Sequence, residues 1–570
     1  MTAVVSDARE GFRAQWAHDE PDWTVLSEAL PLADLLLRTA ERTPEATALV
    51  IPTEEFTYAE LRAESIDVAR GLLSLGVERG DHVGVLAPNS IEYVAALFGA
   101  SLIGAVVVPL HVRATSRELA YLIPHAELRV ILTTDRISEH VDFRQRMHGA
   151  LRGLAESDAS RPLDLSGAPL LRHVVMLRGN AGGGALGRTQ FNEAVELVTA
   201  ADVARVRTRV RIRDASLILY TSGTTSNPKG CVISHEAISR GSVARISAAV
   251  PPAEIAGPLV MWHPLPLFHI AALQAFVYVV ATGATLVTDV HLDADRALDL
   301  IRRHRANSLW SGFMPPMRTL RTANGFDAAE LSWVHSIWTV GPEAEMIELQ
   351  ELFPQAELVS GGGMSETTGW FCITPRGDLP LHRRTTSGTP VAGAELRVVD
   401  PETGKERPAG ERGELLVRTY TLMDGYFREP ERTAEVIDSD GWMHTGDLYT
   451  RLESGHYVYE GRIKDMLKVG GENVPAIEIE AYLCGHPDIL TAEVVGVPEP
   501  RLDEVPVAFI ELVDGAEMSV QDVLDYCAGE LATFKIPRRV HFVEAGGWPL
   551  SATKVNKRVL RDDAIRASAD

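Results

Sequence analysis

"DHVGVLAPNSIEYVAALFGASLIGAVVVPL", residues 81–110, is the stretch that decides the fold class. The apolar runs at 81–88 and 105–110 have the length and composition of buried strands, and the apolar run between them has the length of a helix. A helical pattern at 116–126 and a strand pattern at 129–134 continue the alternation. Strands that alternate with helices in this way predict an α/β fold, in which parallel sheets are covered by helices.

The chain is long enough for more than one domain, because 570 residues exceed what a single hydrophobic core supports. Short strands and turns dominate from "GELLVRT" (413–419), and a small α/β pattern follows "YEGRIKDMLKVGGENV" (459–474). We therefore expect a large N-terminal domain, residues 1–464, made of helix-covered β-sheets with a β-rich subdomain. A small mobile C-terminal α/β domain, residues 465–570, should follow it.

Charge and cysteine usage exclude several classes of protein. The formal net charge of −23 argues against nucleic acid as a partner, because phosphate backbones attract clustered Lys and Arg. The four cysteines lie far apart without CxxC spacing, so they predict neither a zinc site nor a disulfide framework. Such usage fits a reducing cytoplasm.

Two apolar runs, 94–110 and 270–287, approach the length of a membrane span. Glycine, serine and proline interrupt the first run, and Gln274 and Gly283 interrupt the second. Each is better explained as a buried helix that leads into a buried strand. The start of the chain also lacks a basic region followed by an apolar stretch. We therefore expect a soluble, cytoplasmic protein with no membrane span.

The run "LYTSGTTSNPKG", residues 219–230, places hydroxyl side chains, glycines and one lysine in a short turn after a strand. Backbone N–H groups and hydroxyls in such a loop can surround phosphate oxygens, while Lys229 supplies positive charge. The order Gly, four residues, Pro, Lys, Gly differs from that of a Walker loop. Taken alone, the stretch has a Ser/Thr-rich surface turn as its alternative interpretation.

Four further stretches accompany this loop: "GGMSET" (362–367), "GWMHTGD" (441–447), "GRIKDMLKVGGENVPAIEIE" (461–480) and "PLSATKVNKRVLR" (549–561). With the loop, they resemble in the same order five motifs of the adenylate-forming superfamily, which contains acyl-CoA synthetases, nonribosomal adenylation domains and beetle luciferases. The resemblance runs from about Pro31 to Arg561. It implies an acyl-CoA ligase that converts a carboxylic acid through acyl-AMP to a thioester, with ATP, Mg²⁺ and coenzyme A.

The resemblance also assigns roles to residues of these motifs. Lys229 matches the lysine beside the ATP phosphates, Glu366 the glutamate that helps hold Mg²⁺, and Lys554 the catalytic lysine brought to the carboxylate. Asp447 matches the carboxylate that accepts both ribose hydroxyls, and Arg462 the arginine near ribose and phosphate. The other nucleotide-binding positions are Thr221, Ser222, Gly223, Thr224, Thr225, Gly341, Pro342, Glu343, Gly362, Gly363, Met364 and Ser365.

The acyl and coenzyme A sides are assigned in the same way. "HPLPLFHIAAL" (263–273) resembles the loop with an aromatic-His pair beside the acyl pocket, and its His269 is expected to gate the thiol tunnel. The expected pocket residues are Phe268, His269, Phe313, Trp338 and Gly361. Whether Trp310, Trp338 and Trp370 line the pocket or fill the core stays open. Gly470 and Gly471 would follow the pantetheine tunnel, and Lys464 would be the pivot of the small domain.

Three departures from the family pattern all concern adenylation. Ser226 replaces a loop glycine, and Gly362 replaces a tyrosine whose ring packs on adenine. The glycine before the catalytic lysine is missing, so that Lys554 aligns only after a one-residue deletion and Lys557 is the weaker alternative. These changes suggest that adenylation is impaired and that transfer from acyl-AMP dominates. The alternative is that local rearrangement absorbs all three changes and adenylation is normal. The ring missing at Gly362 also predicts extra volume at residues 360–363 and a preference for a bulky acid.

Other functions remain open at this stage. An adenylating enzyme that loads a carrier protein, a luciferase-like oxygenase and a catalytically silent nucleotide-binding protein share the same motifs. His263 and His269 are six residues apart with two prolines between them, so they share no helical face and a metal site there is not expected. The sequence does not name the acid, and a homodimer is left open.

Overall fold

The computed structural model describes residues 29–137, 141–221, 228–250, 257–469, 472–499, 501–528, 530–551 and 554–567. Short 3₁₀ helices cover Ala328–Leu331 and Ile463–Asp465. The α-helices are, in chain order, α1 (Leu32–Arg42), α2 (Tyr58–Ser74), α3 (Ile91–Leu102), α4 (Ser116–His125), α5 (Phe143–Ala150), α6 (Arg188–Val195), α7 (Ala200–Arg207), α8 (His235–Ile246), α9 (Ile270–Thr282), α10 (Ala294–Arg303), α11 (Met314–Arg321), α12 (Glu343–Leu352), α13 (Pro380–Thr385), α14 (Pro430–Val436), α15 (Ala476–Leu483), α16 (Val520–Cys527) and α17 (Lys557–Arg566).

The strands fall into two large sheets, several small antiparallel sheets and a C-terminal sheet. They are, in chain order, β1 (Thr47–Ile51), β2 (Glu54–Thr57), β3 (His82–Leu86), β4 (Val106–Pro109), β5 (Leu128–Thr134), β6 (Arg136–Ile137), β7 (Val141–Asp142), β8 (His173–Arg178), β9 (Ala215–Thr221), β10 (Lys229–Ser234), β11 (Val260–Trp262), β12 (Thr285–Val287), β13 (Ser308–Trp310), β14 (Ser336–Trp338), β15 (Glu357–Val359), β16 (Gly361–Met364), β17 (Gly369–Ile373), β18 (Thr389–Pro390), β19 (Ala394–Val399), β20 (Arg412–Thr419), β21 (Gly425–Tyr426), β22 (Met443–Arg451), β23 (Tyr457–Arg462), β24 (Met466–Val469), β25 (Glu472–Pro475), β26 (Ile489–Glu499), β27 (Asp503–Leu512), β28 (Arg539–Phe542), β29 (Leu550–Ser551) and β30 (Lys554–Val555).

The stretch that opens this section forms the middle of the first large sheet. The strand order there is β21-β10-β9-β4-β3-β5-β8, and β3 pairs in parallel with both β4 and β5. Every residue of α3 is buried, which explains why its sequence has no polar face. Helix α3 packs on α2, which in turn packs on α6 and α7. The predicted parallel sheet covered by helices is confirmed.

The second large sheet has the order β15-β14-β13-β11-β12-β1-β2. Neighbouring strands pair in parallel throughout this sheet, except that β2 pairs antiparallel with β1 in a hairpin at its edge. Helix α9 is buried along most of its length and leads into β12, as predicted for the apolar run 270–287. Among the described helices, none is both long enough and apolar enough to cross a membrane.

The last part of the chain builds smaller sheets. Strands β19-β20-β22-β23 form an antiparallel sheet, which is the predicted β-rich part. Beyond Lys464, β25-β24-β27-β26 form another sheet with β28 parallel to β27. Leu467, Val494 and Ile510 belong to a buried cluster that contains only residues from this part of the chain. The overall architecture is the predicted large α/β domain followed by a small one, while the boundary at Lys464 stays a prediction.

Candidate active site

Four parallel strands, β11, β13, β14 and β15, end at one edge of the second sheet. Trp310 lies opposite Trp338, and Trp338 lies opposite Val359, so these strands end in register. The segments that follow the four strands contain the predicted acyl-pocket and adenine-site stretches. In open α/β sheets, ligands bind outside the carboxyl ends of parallel strands. The fold therefore brings the predicted acyl-pocket and adenine-site stretches to one edge of the sheet, although they lie far apart in the sequence.

Lys229 and Glu366 are linked by a residue that sequence reasoning missed. Lys229 begins β10 opposite Thr221, and its Nζ lies 4.7 Å from the ring centre of Tyr426. The Tyr426 hydroxyl donates to Oε1 of Glu366 at 3.0 Å. Burial and the charge of Glu366 raise the pKa of Tyr426, so the phenol stays protonated and remains a donor. A cation, a ring and a carboxylate thus follow one another, starting from the lysine of the predicted phosphate-loop motif.

The backbone around Glu366 is held by a buried arginine. Arg245 on α8 is fully buried, and its guanidinium donates to the carbonyl oxygens of Thr368 at 2.8 Å and Thr367 at 3.2 Å. Burial lowers the pKa of Arg245 to about 10, which still leaves it charged at neutral pH. The N–H of Met423 donates to the Glu366 carbonyl at 2.8 Å. The carboxylate of Glu366 therefore projects from a fixed turn.

Asp447 and Arg462 face each other across β22 and β23. They are register partners, and Arg462 Nε lies 3.2 Å from Asp447 Oδ1. Burial lowers the pKa of Arg462, but the charge of Asp447 acting together with Tyr459 and Asp465 outweighs burial, so the pKa is raised. The Thr445 hydroxyl accepts from the Asp447 N–H at 3.1 Å, which fixes the turn that carries the carboxylate. The two predicted ribose-side residues form one pair.

The expected extra volume at Gly361 and Gly362 is wrong. A Cβ added to Gly362 would lie 2.7 Å from the Tyr449 hydroxyl oxygen, and one added to Gly361 would lie 2.4 Å from the Trp370 ring. Tyr449 is buried and also lies 6.1 Å, centre to centre, from the ring of Phe371. Rings supplied by β22 and β17 therefore occupy the space that the missing side chains would take.

Phe268 and His269 lie together, as the resemblance implies, and a second histidine joins them. Their ring centres are 4.5 Å apart, and His111 lies 4.6 Å from Phe268 and 5.7 Å from His269. Burial lowers the pKa of His111 to about 4, so this ring is neutral at physiological pH. His263 lies elsewhere, stacked on Trp310 at 6.0 Å. The two histidines of the 263–273 loop therefore lie in different surroundings, His269 beside Phe268 and His111, and His263 against Trp310.

Three tryptophans form a buried cluster at the same strand ends. Trp310 stacks on Trp338 with ring centres 4.3 Å apart, and Trp370 meets Trp310 edge-on at 6.0 Å. All three are buried, and none of their indole N–H groups has a hydrogen-bond partner within the described part of the chain. Mutual packing explains why the three rings are buried. A tryptophan in a protein core usually finds a hydrogen-bond partner for its indole N–H, and these three do not. The role of Trp338 in the acyl pocket stays a prediction.

The remaining nucleotide-side residues lie close to these elements. Pro342 precedes α12, Glu343 begins it, and Glu343 pairs with Arg384 at 3.4 Å. A Cβ on Gly341 would lie 2.1 Å from Met314 Cγ, so this glycine lets α11 approach. Four predicted residues complete the edge: Phe313 before α11, Gly363 and Met364 in β16, and Ser365 in the turn after it.

The two candidate lysines of the tail differ in their surroundings. Lys554 lies in β30, where it pairs with Ser551 of β29. Lys557 begins α17 and forms ion pairs with Glu480 and, at 3.5 Å, with Glu493. Burial and the neighbouring Glu480 raise the pKa of Glu493 to about 7. Two carboxylates hold Lys557, and the catalytic role of Lys554 stays a prediction.

Several predicted residues lie outside the described part of the chain. They are Ser222, Gly223, Thr224, Thr225 and Ser226 of the phosphate loop, and Gly470 and Gly471 between β24 and β25.

Tyr426, Tyr449, His111 and Arg245 were not found from the sequence. None lies in a recognisable motif, and each reaches the site through strand pairing or packing with a distant segment. Arg245 has no local signature, because it lies on a helix of mixed polar and apolar residues that the fold buries.

Comparison with known proteins agrees with this geometry. The family model described as "AMP-binding enzyme" matches residues 36–427, and "AMP-binding enzyme C-terminal domain" matches residues 478–554. The chain therefore belongs to the AMP-binding enzyme family, the adenylate-forming superfamily that its motifs resemble. Its relatives within that family are named acyl-CoA ligases and synthetases, so it is an acid–thiol ligase of the acyl-CoA synthetase branch, which forms AMP.

The relatives act on different acids. The chain is 29% identical over 555 residues to 4-coumarate-CoA ligase 1 of Narcissus pseudonarcissus, covering 96% of this chain and 95% of that protein. It is 30% identical over 535 residues to the long-chain-fatty-acid–CoA ligase FadD13 of Mycobacterium tuberculosis, covering 93% and 97%. Among solved structures, the anthranilate CoA ligase AuaEII with anthranoyl-AMP has a TM-score of 0.80 at 26% identity, covering 95% of this chain and 98% of that one. ATP-bound MatB from Rhodopseudomonas palustris has a TM-score of 0.78 at 26% identity, with coverage of 94% and 99%.

Proposed function

We propose that this ligase joins a carboxylic acid to coenzyme A in two steps at the strand-end site. The substrate carboxylate attacks the α-phosphorus of ATP and pyrophosphate leaves; the coenzyme A thiol then attacks the acyl carbonyl and AMP leaves. The Lys229–Tyr426–Glu366 arrangement carries the proposal, because the first step gathers negative charge that a positioned lysine can offset.

Glu366 suits Mg²⁺, which is usually bound by one or two carboxylates together with substrate phosphates. The Tyr426 hydroxyl orients its carboxylate, and Arg245 fixes the backbone behind it. When bound there, the ion would neutralise part of the triphosphate charge. Asp447 would accept the ribose hydroxyls, with Arg462 beside it as the cation near ribose and phosphate.

We also propose that adenylation is the slower half-reaction. Ser226 stands where the family has a glycine, and the turn before Lys554 is one residue shorter. Both changes concern groups that must be placed accurately, and a misplacement of about 1 Å can lower the rate about a hundredfold. Gly362 no longer supports this argument, because Tyr449 lies where a side chain at 362 would begin and can supply a ring on that side.

For the acid, we propose a ring-bearing compound such as an aryl acid. Phe268, His269 and His111 offer aromatic faces, and flat rings pack on such faces better than acetate does. The names of the coumarate and anthranilate ligases support this choice, whereas that of FadD13 favours an alkyl chain. A panel of acids compared by kcat/KM distinguishes them, and acetate or a long alkyl acid ranking first would contradict the proposal.

The deciding experiment compares free acid plus ATP with synthetic acyl-AMP, each in the presence of coenzyme A. Thioester and AMP from both mixtures, with the acyl-AMP mixture faster, are the expected result. Equal rates would refute slow adenylation without affecting the ligase assignment. Restoring glycine at Ser226 and inserting one before Lys554 should raise only the ATP-dependent rate. Three other results would contradict the ligase proposal. Oxygen consumption would indicate an oxygenase, acylation of a carrier protein instead of coenzyme A would indicate a carrier-loading enzyme, and nucleotide binding without turnover would indicate a catalytically silent protein.

A further inference from the structure

Asp378, His382 and His456 form a cluster that the ligase reaction does not use. Asp378 precedes α13, His382 lies within α13, and His456 lies in the turn between β22 and β23. His382 Nδ1 is 3.0 Å from Asp378 Oδ1, and His456 Nε2 is 2.9 Å from Asp378 Oδ2. One donor atom from each residue lies within 4.8 Å of the other two.

This cluster is separate from the nucleotide side of the same hairpin. Asp447 and Arg462 pair near one end of β22 and β23, while Arg451 pairs with Tyr457 at the other end, next to His456. Arg451 lies four residue steps along the strand from Asp447, a distance of about 13 Å. None of the three cluster residues falls in the five motifs that resemble the family.

The side chains are largely buried and held in place. The side chains of Asp378 and His456 are only 9% and 8% exposed. The ring of His456 also contacts the Ser454 hydroxyl at 3.0 Å through Nδ1, which fixes its orientation. The N–H of Leu379 donates to Asp378 Oδ1 at 2.8 Å, and Arg383 Nε donates to the Asp378 carbonyl at 2.9 Å. Such outer contacts are those that orient metal ligands in proteins.

The donor set and its spacing suit a metal ion. Two imidazoles and a carboxylate are the ligands of many three-residue zinc sites, with water as the fourth ligand. Bonds of about 2.0–2.1 Å place tetrahedral donors about 3.3 Å apart. The two histidine nitrogens lie 3.0 and 2.9 Å from the two oxygens of Asp378, and one donor atom of each residue lies within 4.8 Å of the others, so each nitrogen is already near the spacing from the carboxylate that a shared ion requires. The ring centres of His382 and His456 are 3.8 Å apart, so both imidazoles approach the same carboxylate side by side.

We propose that Asp378, His382 and His456 bind a divalent transition-metal ion of the zinc class, which clamps α13 to the β22–β23 turn. The ion would connect a helix of the second sheet's region to the antiparallel sheet that carries Asp447 and Arg462. Mg²⁺ is a poor competitor for this donor set, because it prefers oxygen ligands in octahedral geometry.

Cobalt(II) is a suitable probe, since its visible absorption reports four- or five-coordinate nitrogen and oxygen ligands. The full chain, freed of metals and kept in excess Mg²⁺ so that Glu366 is not available, is titrated with Co²⁺ and then with Zn²⁺. We expect about one equivalent of Co²⁺ to bind, to be displaced by Zn²⁺, and to be lost in His382→Gln and in His456→Gln. Ser454→Ala should weaken binding by about tenfold.

His304→Gln is the matched control, because His304 also faces a carboxylate, that of Glu55 at 3.8 Å, but without a second histidine. It should leave Co²⁺ binding unchanged. Absence of saturable binding, or binding that survives both cluster substitutions, would overturn the proposal and leave a hydrogen-bonded triad. If the substitutions prevent folding, anomalous diffraction at the zinc edge from crystals of the unaltered protein decides: a peak among the three residues supports the site, and none refutes it.

Discussion

Replacing Tyr426 by phenylalanine tests the link between the loop lysine and the acidic residue. The substitution removes the hydroxyl that donates to Glu366 at 3.0 Å but keeps the ring 4.7 Å from Lys229. A hydrogen bond to a charged group contributes about 1.5–3 kcal/mol, which corresponds to about one to two decades in rate. We expect this loss in pyrophosphate release from acid plus ATP, because Glu366 would no longer be oriented for the triphosphate side.

The assay follows both half-reactions with the same acid. Thioester formation from supplied acyl-AMP should fall much less, since that step does not involve the triphosphate. Burial and Glu366 hold the pKa of Tyr426 above its usual range, so the phenol is protonated throughout pH 6–9 and the ratio of wild-type to variant rates should not change with pH there. Tyr420→Phe is the control, because Tyr420 also packs against a cation, Arg240 at 4.7 Å, without contacting Glu366.

Equal losses in the two half-reactions would refute the reasoning, because they would indicate a general disturbance rather than a missing contact to Glu366. Pyrophosphate release at the wild-type rate in Tyr426→Phe would refute it as well. A double-mutant cycle with Glu366→Gln separates the two residues: if the hydroxyl acts through the carboxylate, the second substitution adds little to the first.

Three further outcomes are expected. Lys229→Ala should lower ATP-dependent turnover by about one to two decades while reducing transfer from acyl-AMP less, and equal losses in the two assays would contradict its phosphate role. Gly362→Ala should cost about 1–3 kcal/mol in the free energy of unfolding, because the added Cβ meets buried rings, whereas Gly167→Ala, which meets nothing within 4 Å, should be nearly neutral in denaturant titrations. Lys554→Ala should abolish pyrophosphate release while the protein stays folded. Lys557→Ala should instead lower the free energy of unfolding by about 1–3 kcal/mol, because two carboxylates lose their cation. The reverse pattern would show that Lys557 is the catalytic lysine and Lys554 the structural one.

The sequence by itself determined the fold class and predicted the main site positions. The alternation at 81–134 reflects local periodicity, which depends only on which residues lie on buried strands and helices, and it predicted the parallel sheet. Lys229, Glu366 and Asp447 could be predicted as site residues because each lies in a contiguous motif at a fixed spacing from its neighbours.

Only the tertiary structure decided what surrounds those residues. Tyr426 reaches Lys229 and Glu366 because β21 pairs with β10, and Tyr449 fills the space at Gly362 because β22 packs behind β16. Such contacts join segments far apart in the chain, and their energy comes from packing and desolvation that no local pattern records. In the sequence, Gly362 therefore suggests empty space where a side chain is missing. In the folded protein, Tyr449 from a distant strand already lies there.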